Sequence, residues 1–339
     1  MQHEITEPMP LLDENGELAA RGWARQPLLK YSRFDVKAPK RRIKEWDYYL
    51  IANDKCAVAL TVADNGYMGL VSASVLDFTV PKEHTKTIMT AFPMGRFQMP
   101  ASSQSGDVTY TTKRVGMNFS KAGAKRYIKC DFINFDQSKT LFVSIALDEP
   151  QQDSMIIATP FSEDKKAFYY NQKINCMPAS GVVRFGGEEY CFSPEDSFGT
   201  LDWGRGVWPR KNTWYWGSLS SRINGVPFGF NIGYGFGNTT AATENVVFYN
   251  GAAHKLDTVT FHIPKDDYLK PWVFASNDGR FEMDFIPIID RSAKTSAGIL
   301  SSDQHQVFGR FSGQVILDDG TPVRIKNMLG FAEKVCNVW

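Results

Sequence analysis

Residues 46–78 read WDYYLIANDKCAVALTVADNGYMGLVSASVLDF, three apolar, β-branched or aromatic runs broken by Asp54-Lys55 and by Asp64-Asn65-Gly66. Asn-Gly between such runs accepts the positive φ of a tight primed turn, so the stretch predicts an antiparallel β-meander. Similar runs follow at DVTYTTKRVGMNFS (107–120), RYIKCDFINF (126–135) and KTLFVSIALDE (139–149), the last two joined by Asp136-Gln137-Ser138. About seven strands are expected before residue 150, which suits a small barrel or sandwich. Beyond the break DEPQQDS (148–154), strand-like runs resume and continue to the end, with Asp319-Gly320 as another hairpin turn. Helix-period stretches are almost absent, LGFAEKV (329–335) being the one expected terminal helix and KAGAKR (121–126) a single turn. The expectation is an all-β protein of two antiparallel lipocalin-like barrels or sandwiches, spanning residues 1–155 and 156–339.

The composition fits that picture. In 339 residues, hydrophobic side chains make up 43% and charged ones 22%, the proportions of a globular chain with a sizeable core. A formal charge of +1 provides no long-range field, which argues against nucleic-acid binding by counterion release. The basic run KAPKRRIKEW (37–46) reads as a solvated approach to the first strand. Five cysteines without a C-x-x-C pair fit reduced thiols rather than a disulfide framework or a zinc site. No secretory signal and no apolar run of membrane-spanning length is present, so a cytoplasmic location is expected. Phosphate-loop, nucleophile-elbow, zincin and dinucleotide motifs are all missing, and neither a metal nor a cofactor is expected.

One segment is unusual. LDWGRGVWPRKNTWYWG (201–217) holds four of the eight tryptophans among Asp202, Arg205, Arg210 and Lys211. Strand alternation places Trp214 and Trp216 on one face of NTWYWGSLS, while the glycines and proline of DWGRGVWP predict a loop feeding that strand. Trp203 and Trp208 then either plug a barrel end, with Arg205 stacked on them, or form the wall of a ligand cavity with Asp202 and Arg205 as polar anchors. FGFNIGYGFG (228–237) alternates a bulky face with a glycine face on which Asn231 is the one side chain able to bond an approaching group. Such a face fits either barrel curvature or something packed on bare backbone.

FGTLDWGRGVWPRKNTWYWGS, FGFNIGYGFGNTTAATENVVFYNGAAHKL, FASNDGRFEMDFIPIIDR, HQVFGRFSG and LGFAEK together resemble a widespread bacterial family of unknown function. That family is distantly similar to the two-domain calycin-like proteins that include carotenoid 1,2-hydratase and relatives of tocopherol cyclase. The resemblance implies two lipocalin-like barrels with a pocket in or between them, and by itself fixes no activity. Hydratase-like relatives carry an Asp-His-x-Trp-Gly pattern near the pocket. Here Asp202, Trp203 and Gly204 stand at the comparable place without the histidine, which leaves Asp202 to act alone or with Arg205.

Further candidates are Glu244, the pair Asp290-Arg291, His305, Arg310 and Glu333. Gln306 and Arg310 share a strand face, from which Arg310 can meet Glu244 or Asp290, and paired charges of this kind also serve as purely structural latches. Two functions fit these residues. The first is a cofactor-independent hydratase, cyclase or isomerase for an apolar or amphipathic small molecule. It would use Asp202, Glu244 or Asp290 for proton transfer, with Trp203, Arg205, Trp208, Trp214, Trp216, Asn231, Arg291, His305 and Arg310 around the ligand. The second is a binding protein that holds a lipid-like ligand without turnover, and a carbohydrate ligand also suits tryptophan platforms.

Overall fold

The computed structural model describes residues 2–297 and 300–338. Among them, thirteen strands between Gly22 and Val207 form one antiparallel sheet and nine between Lys211 and Val338 form another. Both curl into barrel-like halves, and none of the described residues is in an α-helix. No helix long and apolar enough to cross a membrane occurs among them.

The meander read from residues 46–78 is present as Ile43–Ala52, Cys56–Asp64, Met68–Asp77 and Lys82–Ala91. Gly66 takes the expected positive φ of 77° at its turn, and Gly320 takes 86° between Leu300–Ile316 and Pro322–Val338. Eleven strands, three of them only two or three residues long, precede residue 149 among the described residues, against the seven expected. The break at 148–154 joins two strands that both pair with the long strand Phe168–Phe185. The expected division at 155/156 therefore falls inside the first sheet, and sheet membership changes between Val207 and Lys211.

Two local expectations are corrected. Residues 202–207 are not a loop: Phe198–Val207 is a wholly buried central strand, paired with Ile43–Ala52 on one side and Phe168–Phe185 on the other. Its glycines make room for indoles rather than for turns. A Cβ on Gly204 would lie 2.0 Å from the Trp46 ring, and one on Gly206 would lie 3.0 Å from Nε1 of Trp208. LGFAEKV is likewise not a helix but the middle of Pro322–Val338, where Leu329 and Phe331 are buried in the core cluster shared with the first sheet, Ala332 in that of the second, and hydrogen bonds run to both neighbouring strands. The KAGAKR turn is the hairpin between Val115–Ala122 and Lys125–Asp136.

The alternation of FGFNIGYGFG explains how the halves dock. Phe228, Phe230 and Ile232 enter the core of the second sheet, where Phe230 meets Phe281 and Phe311 edge-on at 5.1 Å. On the glycine face, Gly229 meets the first sheet, a Cβ there lying 2.7 Å from Sγ of Cys176, while one on Gly233 would lie 2.3 Å from Glu244 Oε1. Asn175, beside Cys176, donates through Nδ2 to Ser218 Oγ at 2.8 Å and to the Leu219 carbonyl at 3.2 Å. Side chains of the first sheet thus lie close against backbone of the second at Gly229, where a larger residue would collide with Cys176.

Candidate active site

The docked sheets enclose a cavity of about 260 Å³. Its inner wall is aromatic. Trp214 and Trp216 line it from one face of Lys211–Ile223, as strand alternation predicts, and Trp208 lines it beside them. Tyr169 completes this wall between Trp46, with ring centroids 6.3 Å apart, and Phe236, stacked at 4.8 Å. The opening carries exposed Thr85 and Thr87 from the first sheet and Ser292 and Gln304 from the second.

Five charged side chains line the cavity among the described residues: Lys44, Lys173, Asp202, Arg291 and Glu333. Lys173 and Asp202 face each other on paired strands, Nζ lying 2.8 Å from Oδ1. Asn171 donates to the same oxygen at 2.6 Å, and among the described residues no hydrogen bond reaches Oδ2. The Lys173 ammonium also lies 3.9 Å from the ring centroid of Trp216, which occupies one π face of that indole. A lysine 1% exposed is tolerable only because a carboxylate and an aromatic face replace its water.

Glu333 is held differently. Trp214 Nε1 donates to its Oε1 at 2.9 Å and Gln306 Nε2 to its Oε2 at 3.0 Å, with no ion pair among the described residues. Burial pushes the carboxyl up to about 7, against the bond from Trp214 and the charges of Arg291 and Lys173, which favour ionisation. One cavity therefore holds a carboxylate tied to an ammonium and a carboxyl that keeps its proton close to neutrality.

Of the residues expected from sequence, Asp202, Trp208, Trp214, Trp216, Arg291 and Glu333 line this cavity. Trp203 and Arg205 do not, because alternation along Phe198–Val207 sends them to the opposite side of the sheet from Asp202. There Trp203 packs edge-on against Tyr31 and Tyr170. Arg205, fully buried, lies over Trp203 at 4.1 Å, bonds Asp47 at 3.0 Å and donates to the carbonyls of Trp46, Gly204 and Pro100. Asn231 stands behind the wall, accepting from Trp216 Nε1 at 2.6 Å and donating to the Glu244 carbonyl at 2.9 Å.

Glu244 also stands behind the wall, where its Oε2 accepts from the Tyr169 hydroxyl at 3.2 Å and burial pushes its carboxyl up to about 7. Asp290 pairs with His305 at 2.7 Å outside the cavity, and the His305 ring stacks on Tyr268 at 3.8 Å. Arg310 meets neither Glu244 nor Asp290 but binds Asp54 at 2.5 Å. Lys173, Trp46 and Tyr169 carry no sequence signal, as nothing in KINCM, WDYY or KAFYY marks a cavity-facing side chain. Among the described residues no three His, Cys, Asp or Glu side chains converge as metal ligands.

A family described as a domain of unknown function matches residues 2–339. The chain belongs to the DUF2804 family. No curated protein matches this DUF2804 chain by sequence. In three dimensions it is similar to kievitone hydratase from Nectria haematococca, with a TM-score of 0.52 at 12% identity over 87% of this chain and 88% of that one. It is also similar to a protein assigned as AttH from Nitrosomonas europaea, with a TM-score of 0.56 at 12% identity over 91% and 98% of the two chains. At such identity the likeness is one of fold alone.

Proposed function

We propose that this protein is an acid–base hydratase, running in either direction, for an apolar or amphipathic small molecule bound between the two sheets. The observation that carries the reading is the pairing in one aromatic cavity of Glu333, a carboxyl pushed up to about 7, with the Lys173-bound carboxylate of Asp202. In the hydration direction, neutral Glu333 gives its proton to one carbon of a C=C bond, whose electron pair forms the new C–H bond. Positive charge grows on the other carbon, beside the rings of Trp46, Tyr169 and Trp214. A water oxygen forms the C–O bond and gives up a proton to Oδ2 of Asp202. Solvent then returns that proton to Glu333. Both bonds made by Glu333 come from N–H donors, which leaves its acidic proton free to point into the cavity.

The role of proton donor, expected of Asp202 from sequence, passes in this reading to Glu333, and Asp202 becomes the base. Lys173 fixes the orientation of that base through the 2.8 Å contact of its Nζ with Oδ1. The test is a panel of alkenes, enones and their hydrated counterparts incubated in H₂¹⁸O with wild-type protein, Glu333→Gln and Asp202→Asn. Incorporation of ¹⁸O by the wild type and its loss in both variants supports the reading. Ligand binding at unchanged affinity in all three proteins without incorporation replaces it with a carrier function.

A further inference from the structure

The charges around the cavity do not cancel: Lys44, Lys173 and Arg291 stand against Asp202 and Glu333. Lys173 is neutralised by Asp202 at 2.8 Å, whereas Arg291 makes no ion pair among the described residues. The guanidinium has five N–H donors. One of its nitrogens, Nη1, donates to Ser74 Oγ at 2.8 Å, and the protein supplies no other acceptor among the described residues. Ser74 is fully buried and fixed in turn by Thr85 Oγ1 at 2.8 Å, so an arginine of the second sheet is held in place by a serine of the first. The charge is directed at the cavity, since it favours ionisation of both Glu333 and Tyr48. A positioned guanidinium with unused donors, beside an aromatic wall, matches the planar fork of a carboxylate.

We infer that Arg291 anchors the carboxylate of an amphipathic acid whose apolar body lies along the aromatic wall. The inference rests on the same cavity being the ligand site of the proposed hydratase, and it narrows the substrate class from any apolar molecule to carboxylic acids with an unsaturated body. Gln306, which lies between Arg291 and Glu333 in the strand register, separates the anchored head from the acid. The bond to be protonated accordingly belongs to the body of the ligand.

The test is binding, read by tryptophan fluorescence, of two matched pairs: cinnamate against cinnamyl alcohol, and decanoate against 1-decanol. Within a pair only the charged head differs. The expected result is an acid bound about tenfold more tightly than its alcohol in at least one pair, the size of effect of one charge-assisted contact. In Arg291→Gln that preference disappears while alcohol affinity is unchanged, and in Arg291→Lys most of it returns. Equal affinity for acid and alcohol, a preference that survives in Arg291→Gln, or failure of all four probes to bind would each overturn the inference. Preferential acid binding without ¹⁸O incorporation into any panel compound would leave the anchor standing and remove the hydratase reading.

Discussion

The indole of Trp214 donates to the carboxyl of Glu333 at 2.9 Å from the adjacent strand, fixing the orientation of a buried acid by a group that carries no charge. A cation in that place would hold Glu333 ionised. The neutral donor lets burial dominate and keeps the proton.

Turnover of a hydrated or dehydrated substrate should therefore fall as pH rises above about 7, where Glu333 loses the proton it must give. Glu333→Gln should lower kcat by about 10²- to 10⁴-fold, the usual span for loss of a general acid, and abolish that alkaline limb. Rate profiles between pH 5 and 9 check both.

The same carboxyl links stability to pH. In the unfolded chain its pKa returns to 4.5, so between that value and about 7 the native state holds a proton that the unfolded state has released. Stability contributed by the neutral carboxyl is complete below pH 4.5 and is lost as pH rises to about 7, amounting to roughly 3 kcal/mol at 1.36 kcal/mol per unit. Glu333→Gln removes this loss, so the variant should gain on the wild type as pH rises from 5 to 8. Urea midpoints at the two values measure the difference.

Lys173 and Asp202 are buried partners, and removing one leaves the other unpaired in a place that water reaches poorly. Lys173→Met should cost about 3–5 kcal/mol of stability. The double variant Lys173→Met with Asp202→Asn should recover most of that loss. A double-mutant cycle by urea unfolding gives the coupling.

Arg205 is predicted to matter for folding and not for the ligand. Arg205→Met leaves Asp47 without its cation and should cost about 3–5 kcal/mol. At a temperature where the variant is folded, its affinity for a cavity ligand should match the wild type. Calorimetric unfolding and ligand titration separate the two effects.

Gly204→Ala drives a methyl group into the Trp46 ring, which is confined between Tyr169 and Trp208. A destabilisation of about 1–3 kcal/mol is expected from overpacking, with weaker ligand binding because the displaced indole is a cavity wall. Thermal unfolding and tryptophan fluorescence report the two changes.

The period of two made the hairpins and the shared face of Trp214 and Trp216 legible in the sequence. The same signal misled where glycine was taken for a turn. Gly204 and Gly206 are hollows cut in a central strand for indoles, one of which lies more than 150 residues away in sequence. LGFAEKV has helix-forming composition, and its partners on both sides override that preference. Lys173 was invisible because its role follows from register: it meets Asp202 across a strand pair whose alignment slips at a bulge between Ile174 and Met177. No local pattern encodes such a slip. Glu333 was visible as a candidate, but its proton affinity depends on donors that arrive from two other strands.

The two acids come from different halves of the molecule, Asp202 from the first sheet and Glu333 from the second. Their separation depends on how the two sheets dock, at a seam where Gly229 of Val226–Tyr234 lies against Asn175 and Cys176. A relative in which that seam is tilted by a single added methyl would inherit the same pair of acids at a new spacing. Such a lineage can explore new reactions through its joint while both reacting side chains stay as they are.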